Sequence, residues 1–406
     1  MPVTDHKSPA PSLTIVIPAL NEEEAIGGTI QRCLEARDGI INSVGLEFLE
    51  IIVVSDGSTD RTAEIARGFR EVQVVEFKTN RGYGAAIKEG FRKGKGSLMG
   101  FLDADGTCDP KTFGQLCRAL QDQNADVALG SRLGPDSRMP LVRRIGNRCY
   151  AFILGLLCGR FITDTASVMR VIRRSSLNLL YPLPNGLHFT PSMSARALLN
   201  GLGVIEIPMS YEERIGRSKL SVVKDGIRFL RVIFDGVLCY RPERIFLSGF
   251  SVCLLISLLM AVYPTEFYIQ NRRLEEWMIY RFLACFLLSS VGLLLLSGSA
   301  LANRMAALGQ YRRQQEGFWA GISVRIFRGK FLAIFTLSVV TISTILVWQG
   351  IVQYLTTGHV EIHWSRVVVA AFGILLTSQL LVTGVLLRVL EIWKAQGEER
   401  AIGDSE

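Results

Sequence analysis

The chain is poor in the residues that build soluble zinc or redox centres. Histidine occurs only four times in 406 residues. His359 and His363 stand i, i+4 apart, but no acid completes the HExxH pattern of a helical zinc protease. Eight cysteines (33, 108, 117, 149, 158, 239, 253 and 285) form no CxxC pair and no zinc spacing. That argues against a disulfide framework and a cysteine-rich metal cluster, and the first half reads as cytosolic. Gly82-x-Gly84 has Ile87 where a dinucleotide fingerprint needs a third glycine. No repeat or low-complexity tract stands out. Met1–Ser12 is short and polar and reads as a loose tail with no signal peptide.

Apolar residue is what the chain has in quantity. It makes up 49% of the sequence, and the mean hydropathy is +0.29. The distribution is uneven, because long uncharged runs dominate only from Ile245 onward. About 20 residues at 1.5 Å each cross a hydrocarbon core, and four segments are long enough: Ile245–Tyr263, Ile279–Ala302, Phe331–Tyr354 and Val367–Leu387. The loop between the second and third carries Arg304, Arg312, Arg313, Arg325, Arg328 and Lys330 against Glu316 alone. The positive-inside bias places that loop, both termini and the N-terminal half in the cytosol. The net charge of +8 suits phosphorylated substrates and anionic lipid; its basic residues cluster beside apolar stretches, which argues against nucleic acid.

The first half alternates apolar runs with helical patterns. Leu13–Pro18, Leu49–Ser55, Val72–Phe77, Ser97–Asp103 and Asp126–Gly130 read as buried strands. Glu22–Arg37, Asp60–Phe69, Tyr83–Lys93 and Pro110–Gln121 read as helices between them. Such alternation predicts an α/β domain with a mainly parallel sheet, whose ligands bind beyond the carboxyl ends of the strands. Two further stretches, Ser137–Phe161 and Ser218–Arg241, interleave apolar stripes with arginines and read as helices lying in a membrane interface. The domain plan is a tail over 1–12, a catalytic α/β domain over 13–217, and a juxtamembrane helix over 218–241. Four spans over 242–390 and a cytosolic tail over 391–406 complete it.

Acidic loops follow the strands. The first strand ends in Pro18-Ala-Leu-Asn21-Glu22 and the second in Ser55-Asp56-Gly-Ser-Thr-Asp60. Asp56 is placed to accept a hydrogen bond from a base ring N–H, or to serve in a helix-capping turn. The fourth strand ends in Asp103-Ala-Asp105. Two carboxylates so close repel unless a cation lies between them or one is protonated. Mg²⁺ or Mn²⁺ shared with a diphosphate meets that need.

Taken together, PALNE, SDGSTD, NRGYGAAIKEG, LDADGT, GSR and IGRSKLS resemble family 2 glycosyltransferases with a GT-A fold, specifically the polyprenyl-phosphate type related to dolichol-phosphate mannose or glucose synthases. The resemblance covers about residues 12–240. It implies a Rossmann-like GT-A domain, a UDP- or GDP-sugar donor and a polyprenyl phosphate acceptor. Pro18, Asn21, Glu22, Asp56, Gly82 and Gly84 are then expected at the donor, with Arg217 and Lys219 closing over its diphosphate. Asp103 and Asp105 are expected to serve the metal and, with Arg132 and Asp164, the catalysis. Arg132, Arg143, Arg144, Asn147 and Arg148 are expected at the lipid phosphate. Thr107 stands where mannose synthases often carry glutamine, and the stretch from Gly186 to Ser192 lacks the carboxylate many relatives place there, so mannose is not assigned. The acceptor needs no general base, because a phosphate monoester carries about −1.5 to −2 charge at neutral pH. Membrane lipids are further partners, and the last three spans leave room for a homo-oligomer contact or a lipid guide. The alternatives are a processive polysaccharide synthase, whose QxxRW motif Gln310-Tyr-Arg-Arg313 echoes without tryptophan, and a degenerate membrane scaffold.

Overall fold

A computed structural model of the chain describes residues 10–134, 137–215, 222–308 and 329–403. It divides into two compact units, Met1–Val237 and Leu238–Glu406.

The first unit is built on a seven-stranded sheet in the order β3-β2-β1-β4-β6-β5-β7. Its strands are β1 (Leu13–Ala19), β2 (Leu49–Asp56), β3 (Val72–Phe77), β4 (Leu98–Phe101), β5 (Val127–Ser131), β6 (Arg170–Arg173) and β7 (Val204–Pro208). Only β6 runs antiparallel, between β4 and β5. The helices are α1 (Ile26–Val44), α2 (Thr62–Arg67), α3 (Tyr83–Lys93), α4 (Thr112–Asp122), α5 (Leu141–Cys158), α6 (Leu177–Leu180), α7 (Phe189–Leu199) and α8 (Val222–Tyr240). The mixed, mostly parallel sheet is the α/β GT-A arrangement read from the sequence.

The strands are apolar on both faces because helices cover both. Ile15, Ile17, Ile51 and Val53 pack with Ile26, Ile30, Phe113 and Leu116 of α1 and α4. Their neighbours Val16, Ile52 and Val54 point the other way, to Ile87 and Phe91 of α3 and Phe189 and Met193 of α7. This period-2 split fixes the register, since a one-residue slip would exchange the two faces. A Cβ on Gly90 would meet Val16 Cγ1 at 2.3 Å, so α3 approaches β1 as closely as glycine allows.

Two strands go beyond the five read from sequence. β6 is four residues long and begins with Arg170, which is fully buried, so it lacks the apolar run that marks a strand. Helix α1 begins at Ile26 rather than Glu22, because residues 22–25 form a turn in which Ala25 and Ile26 N–H donate to the Glu22 carbonyl. Helix α5 starts behind Pro140 and stops at Gly159, in the left-handed region with φ 71°.

The second unit holds α9 (Pro242–Asn271), α10 (Ile279–Leu308), α11 (Gly329–Thr357) and α12 (Trp364–Gly403). Four helical stretches within it are long and apolar enough to cross a membrane: Pro242–Asn271, Glu276–Ala306, Leu332–Thr357 and Trp364–Trp393. Helices α9 and α10 meet through Ser257 and Ser289, whose hydroxyls lie 3.2 Å apart, and through Gly292, which admits Phe250 and Cys253. Small residues of this kind let apolar helices approach where lipid provides no hydrophobic drive. Most of the basic loop read as cytosolic, including Arg312, Arg313, Arg325 and Arg328, lies outside the described residues.

Candidate active site

The chain runs outward from β1 through β2 to β3 and returns to β4 on β1's other side, so β1 and β4 flank a topological switch point. Open α/β sheets bind ligands at such a point. A cleft of about 440 Å³ lies there. One flank is formed by Pro18, Glu22, Asp56 and Gly82, the floor by Asp103 and Asp105, and the other flank by Arg132, Arg143 and Asn147. Nine residues singled out from the sequence thus share one cavity.

The floor is a strained pair of charges. Asp103 Oδ1 accepts from the Tyr83 hydroxyl at 2.7 Å, and Asp105 Oδ1 accepts from the Thr107 hydroxyl at 2.7 Å. Burial and the neighbouring Asp105 push the Asp103 carboxyl up to about 7, against the Tyr83 hydrogen bond and the charges of Arg132 and Arg214. Arg214 reaches in from beyond β7, with Nη2 2.6 Å from Glu22 Oε1 and Nη1 3.4 Å from Asp105 Oδ2. Among the described residues no three His, Cys, Asp or Glu side chains converge. A hard divalent cation here would have Asp103 and Asp105 and would take its remaining ligands from substrate phosphate and water. The crowded pair, with Asp103 reluctant to ionise, fits that group.

The cationic flank is a buried network. Arg132 binds Asp164 through Nε at 2.8 Å, Nη2 at 2.8 Å and its backbone N–H at 3.0 Å. Asn147 Nδ2 donates to the same carboxylate at 2.8 Å, and Asn147 Oδ1 accepts from Thr165 Oγ1 at 3.0 Å. Burial works against the Asp164 charge, but the Arg132 guanidinium and these hydrogen bonds hold its carboxyl below the ordinary range. Asp164 is wholly buried. It is not among the residues lining the cleft, and its carboxylate contacts Arg132 and Asn147, in keeping with a part in orienting an arginine rather than direct contact with the sugar. Asn147 likewise spends its amide inside the network. Arg132 keeps Nη1 clear of Asp164, and its guanidinium lies 5.6 Å from the Tyr211 ring centroid.

Other expectations are revised by contact. Both oxygens of Asp56 accept backbone N–H groups, from Arg81 at 2.7 Å and Gly82 at 2.8 Å, so its carboxylate anchors the start of α3 as well as lining the cleft. Asn21, with φ 48°, accepts from the Thr59 N–H at 2.8 Å and ties the first two acidic loops together. Gly84 is not at the cleft; a Cβ there would strike the Pro184 carbonyl at 2.2 Å, so it admits the loop before α7 rather than a donor. Arg144 donates to the Leu133 carbonyl at 3.2 Å and Arg148 is exposed on α5; neither is among the residues lining the cleft. Arg217 and Lys219 lie outside the described residues.

The cleft also has an apolar side drawn from the two stretches read as interfacial helices: Met139, Val142, Tyr150 and Phe229, with Arg228 beside them. Helices α5 and α8 meet here, with the Tyr150 and Phe229 rings edge-on at 5.9 Å. Outward from the cleft, α5 exposes Leu141, Ile145, Phe152 and Leu156, each more than 60% exposed. Single exposed apolar residues are ordinary, but a helical stripe of them is not.

Residues 14–180 match the family model described as glycosyl transferase family 2. A low-salt glycan biosynthesis hexosyltransferase of Haloferax volcanii is 32% identical over 259 residues, 62% of this chain, which spans 60% of that relative's length. A dolichyl-phosphate hexose transferase of the same organism is 30% identical over 216 residues, 53% of this chain and 89% of the relative. An undecaprenyl-phosphate 4-deoxy-4-formamido-L-arabinose transferase of Edwardsiella ictaluri is 30% identical over 233 residues, 56% of this chain and 67% of the relative. With this sheet, this cleft and these relatives, two of them named for transfer to polyprenyl phosphates, the chain belongs to glycosyl transferase family 2 and is a glycosyltransferase.

Proposed function

We propose that the chain transfers a hexose from a nucleotide-diphosphate sugar, a UDP- or GDP-sugar, to a polyprenyl phosphate at the cytosolic membrane face, with inversion and with Mg²⁺ or Mn²⁺. The observation that carries this reading is the shared cleft: a carboxylate floor at one end, and a guanidinium and apolar flank under an exposed apolar helix at the other.

The acceptor phosphate is an anion, so it attacks the anomeric carbon without a base to deprotonate it. An oxygen of that phosphate forms the new bond to the anomeric carbon as the bond to the donor diphosphate breaks. The leaving electron pair stays on the diphosphate, and the nucleoside diphosphate departs. Two anions must meet, and this chain's cations make that approachable. Arg132, aimed by Asp164, offers Nη1 to the acceptor, and Arg143 and Arg228 add positive charge on the same flank. Met139, Val142 and Phe229 seat the first apolar units of the lipid and exclude water, whose attack would waste the donor. Tyr83 fixes the orientation of the Asp103 carboxylate. A divalent cation on Asp103 and Asp105 would supply charge neutralisation at the departing diphosphate.

The stripe of Leu141, Ile145, Phe152 and Leu156 suits burial at a lipid headgroup boundary, where a polyprenyl phosphate presents its charge. The candidate spans that follow in the chain would tether the domain to a membrane. The test presents the full chain with a panel of UDP- and GDP-sugars, Mg²⁺ or Mn²⁺, and either polyprenyl phosphate or free polyprenol. Sugar is expected on the phosphorylated lipid alone; transfer to free polyprenol contradicts the reading.

A further inference from the structure

Arg214 takes no part in the transfer derived above, yet it is bound to the carboxylate floor. It lies in the segment 211–215 that follows β7, and that segment is pinned along the floor by its backbone. Glu212 N–H donates to the Thr107 carbonyl at 3.0 Å and Ile215 N–H to the Asp105 carbonyl at 3.2 Å. The Arg214 guanidinium then bridges two carboxylates, tightly to Glu22 at 2.6 Å and loosely to Asp105 at 3.4 Å. Its Nε is buried and, among the described residues, has no hydrogen-bond partner. A buried donor left unmet is costly, so this placement leaves the side chain short of one acceptor.

The oxygen that Arg214 faces, Asp105 Oδ2, belongs to the pair that would hold a divalent cation. A guanidinium and a metal ion at one carboxylate repel each other, and the low polarity of a buried floor strengthens the repulsion. A diphosphate arriving with the metal would bring acceptor oxygens for the unmet Nε and for Nη1. We infer that Arg214 is an internal counter-cation that occupies Asp105 until donor and metal arrive, and then exchanges that carboxylate for the donor's diphosphate. This rests on the assignment of metal to Asp103 and Asp105. Its consequence is order: metal alone binds poorly because a resident cation opposes it, and metal with a nucleoside diphosphate binds well because the diphosphate draws the resident cation away.

The test measures Mn²⁺ binding to the full chain in detergent by the electron paramagnetic resonance signal of the free ion, with and without UDP or GDP. Arg214→Gln is expected to bind Mn²⁺ alone at least about fivefold tighter than wild type, the low end of coupling between competing ligands. With nucleoside diphosphate present that advantage should vanish or reverse. Arg214→Lys keeps the charge and should stay close to wild type for Mn²⁺ alone, which separates charge from packing. Unchanged or weaker Mn²⁺ binding in Arg214→Gln, with binding abolished in Asp105→Asn, overturns the counter-cation inference alone. Binding that persists unchanged in Asp105→Asn instead overturns the metal assignment beneath it.

Discussion

At the residue scale, the cleft contrasts a carboxylate that is uncomfortable with one that is satisfied. Asp103 sits beside Asp105 with its carboxyl raised to about 7, a state that a bound cation or a proton relieves. Replacing Asp105 by alanine is expected to lower transfer by about 10²–10³-fold or more while leaving the melting temperature close to wild type, as loss of one preorganised charge site does elsewhere. Initial rates with saturating donor check this, and an unimpaired variant would remove the metal role. Asp164 is the opposite case, held ionised by Arg132 and Asn147. Asp164→Asn leaves Arg132 buried without its counter-charge and should cost about 3–5 kcal/mol of stability. Because the folded-state pKa of Asp164 lies below the unfolded value of about 3.9, the pair's contribution is complete above that value and fades as pH falls through the lower one. Thermal unfolding should show a constant gap from wild type at neutral pH that closes below about pH 4. A gap that widens with acid would contradict the arrangement. The aspartate pair was legible in the sequence because two acids ending an apolar strand have few structural uses. Tyr83 and Arg214 were not, because a tyrosine opening a helix and an arginine in a loop acquire their partners only when distant strands come together.

Elements explain which arginines matter. From sequence, Arg143, Arg144 and Arg148 share one helix and look equivalent. Helical spacing turns them to different sides of α5, so Arg143 reaches the cleft, Arg144 caps a carbonyl of the preceding loop and Arg148 faces outward. The same geometry separates the apolar residues, with Ala151 and Leu154 inside and Phe152 and Leu156 exposed. Because both side chains are more than 60% exposed, Phe152→Glu with Leu156→Glu should change the melting temperature little. In lipid nanodiscs the doubly substituted protein should show a KM for polyprenyl phosphate raised by about tenfold or more, as each buried apolar side chain is worth about 1.5–3 kcal/mol at a lipid boundary. The KM for the nucleotide-sugar should not move; an equal change in both would place the helix away from the lipid. Strand β6 marks the limit of pattern reading at this scale. It is held by ladder hydrogen bonds to both neighbours and by Arg170, whose Nε and Nη2 donate to the Ser167 and Thr165 carbonyls. None of those contacts leaves a periodic trace in the sequence.

At the scale of the whole molecule, the sequence carried the architecture because its two halves obey different solvents. The described residues of the first unit bury apolar strands beneath helices on both faces of the sheet, as an α/β unit must. The remainder leaves large apolar side chains such as Leu259, Leu337 and Val385 about 60% exposed or more along helices of spanning length. Only a lipid surround makes that tolerable. The proposed lipid acceptor would be met by such a chain, since candidate spans follow the catalytic unit in sequence. In the proposed reaction an oxygen of the lipid phosphate attacks the sugar carbon, not the donor's phosphorus. The measurement that tests it most directly is the identity of the nucleotide released in a single turnover on polyprenyl phosphate. Nucleoside diphosphate, released in equal amount with a lipid carrying one phosphate and an inverted anomeric centre, is the expected result. Nucleoside monophosphate, with a lipid carrying two phosphates, would contradict it.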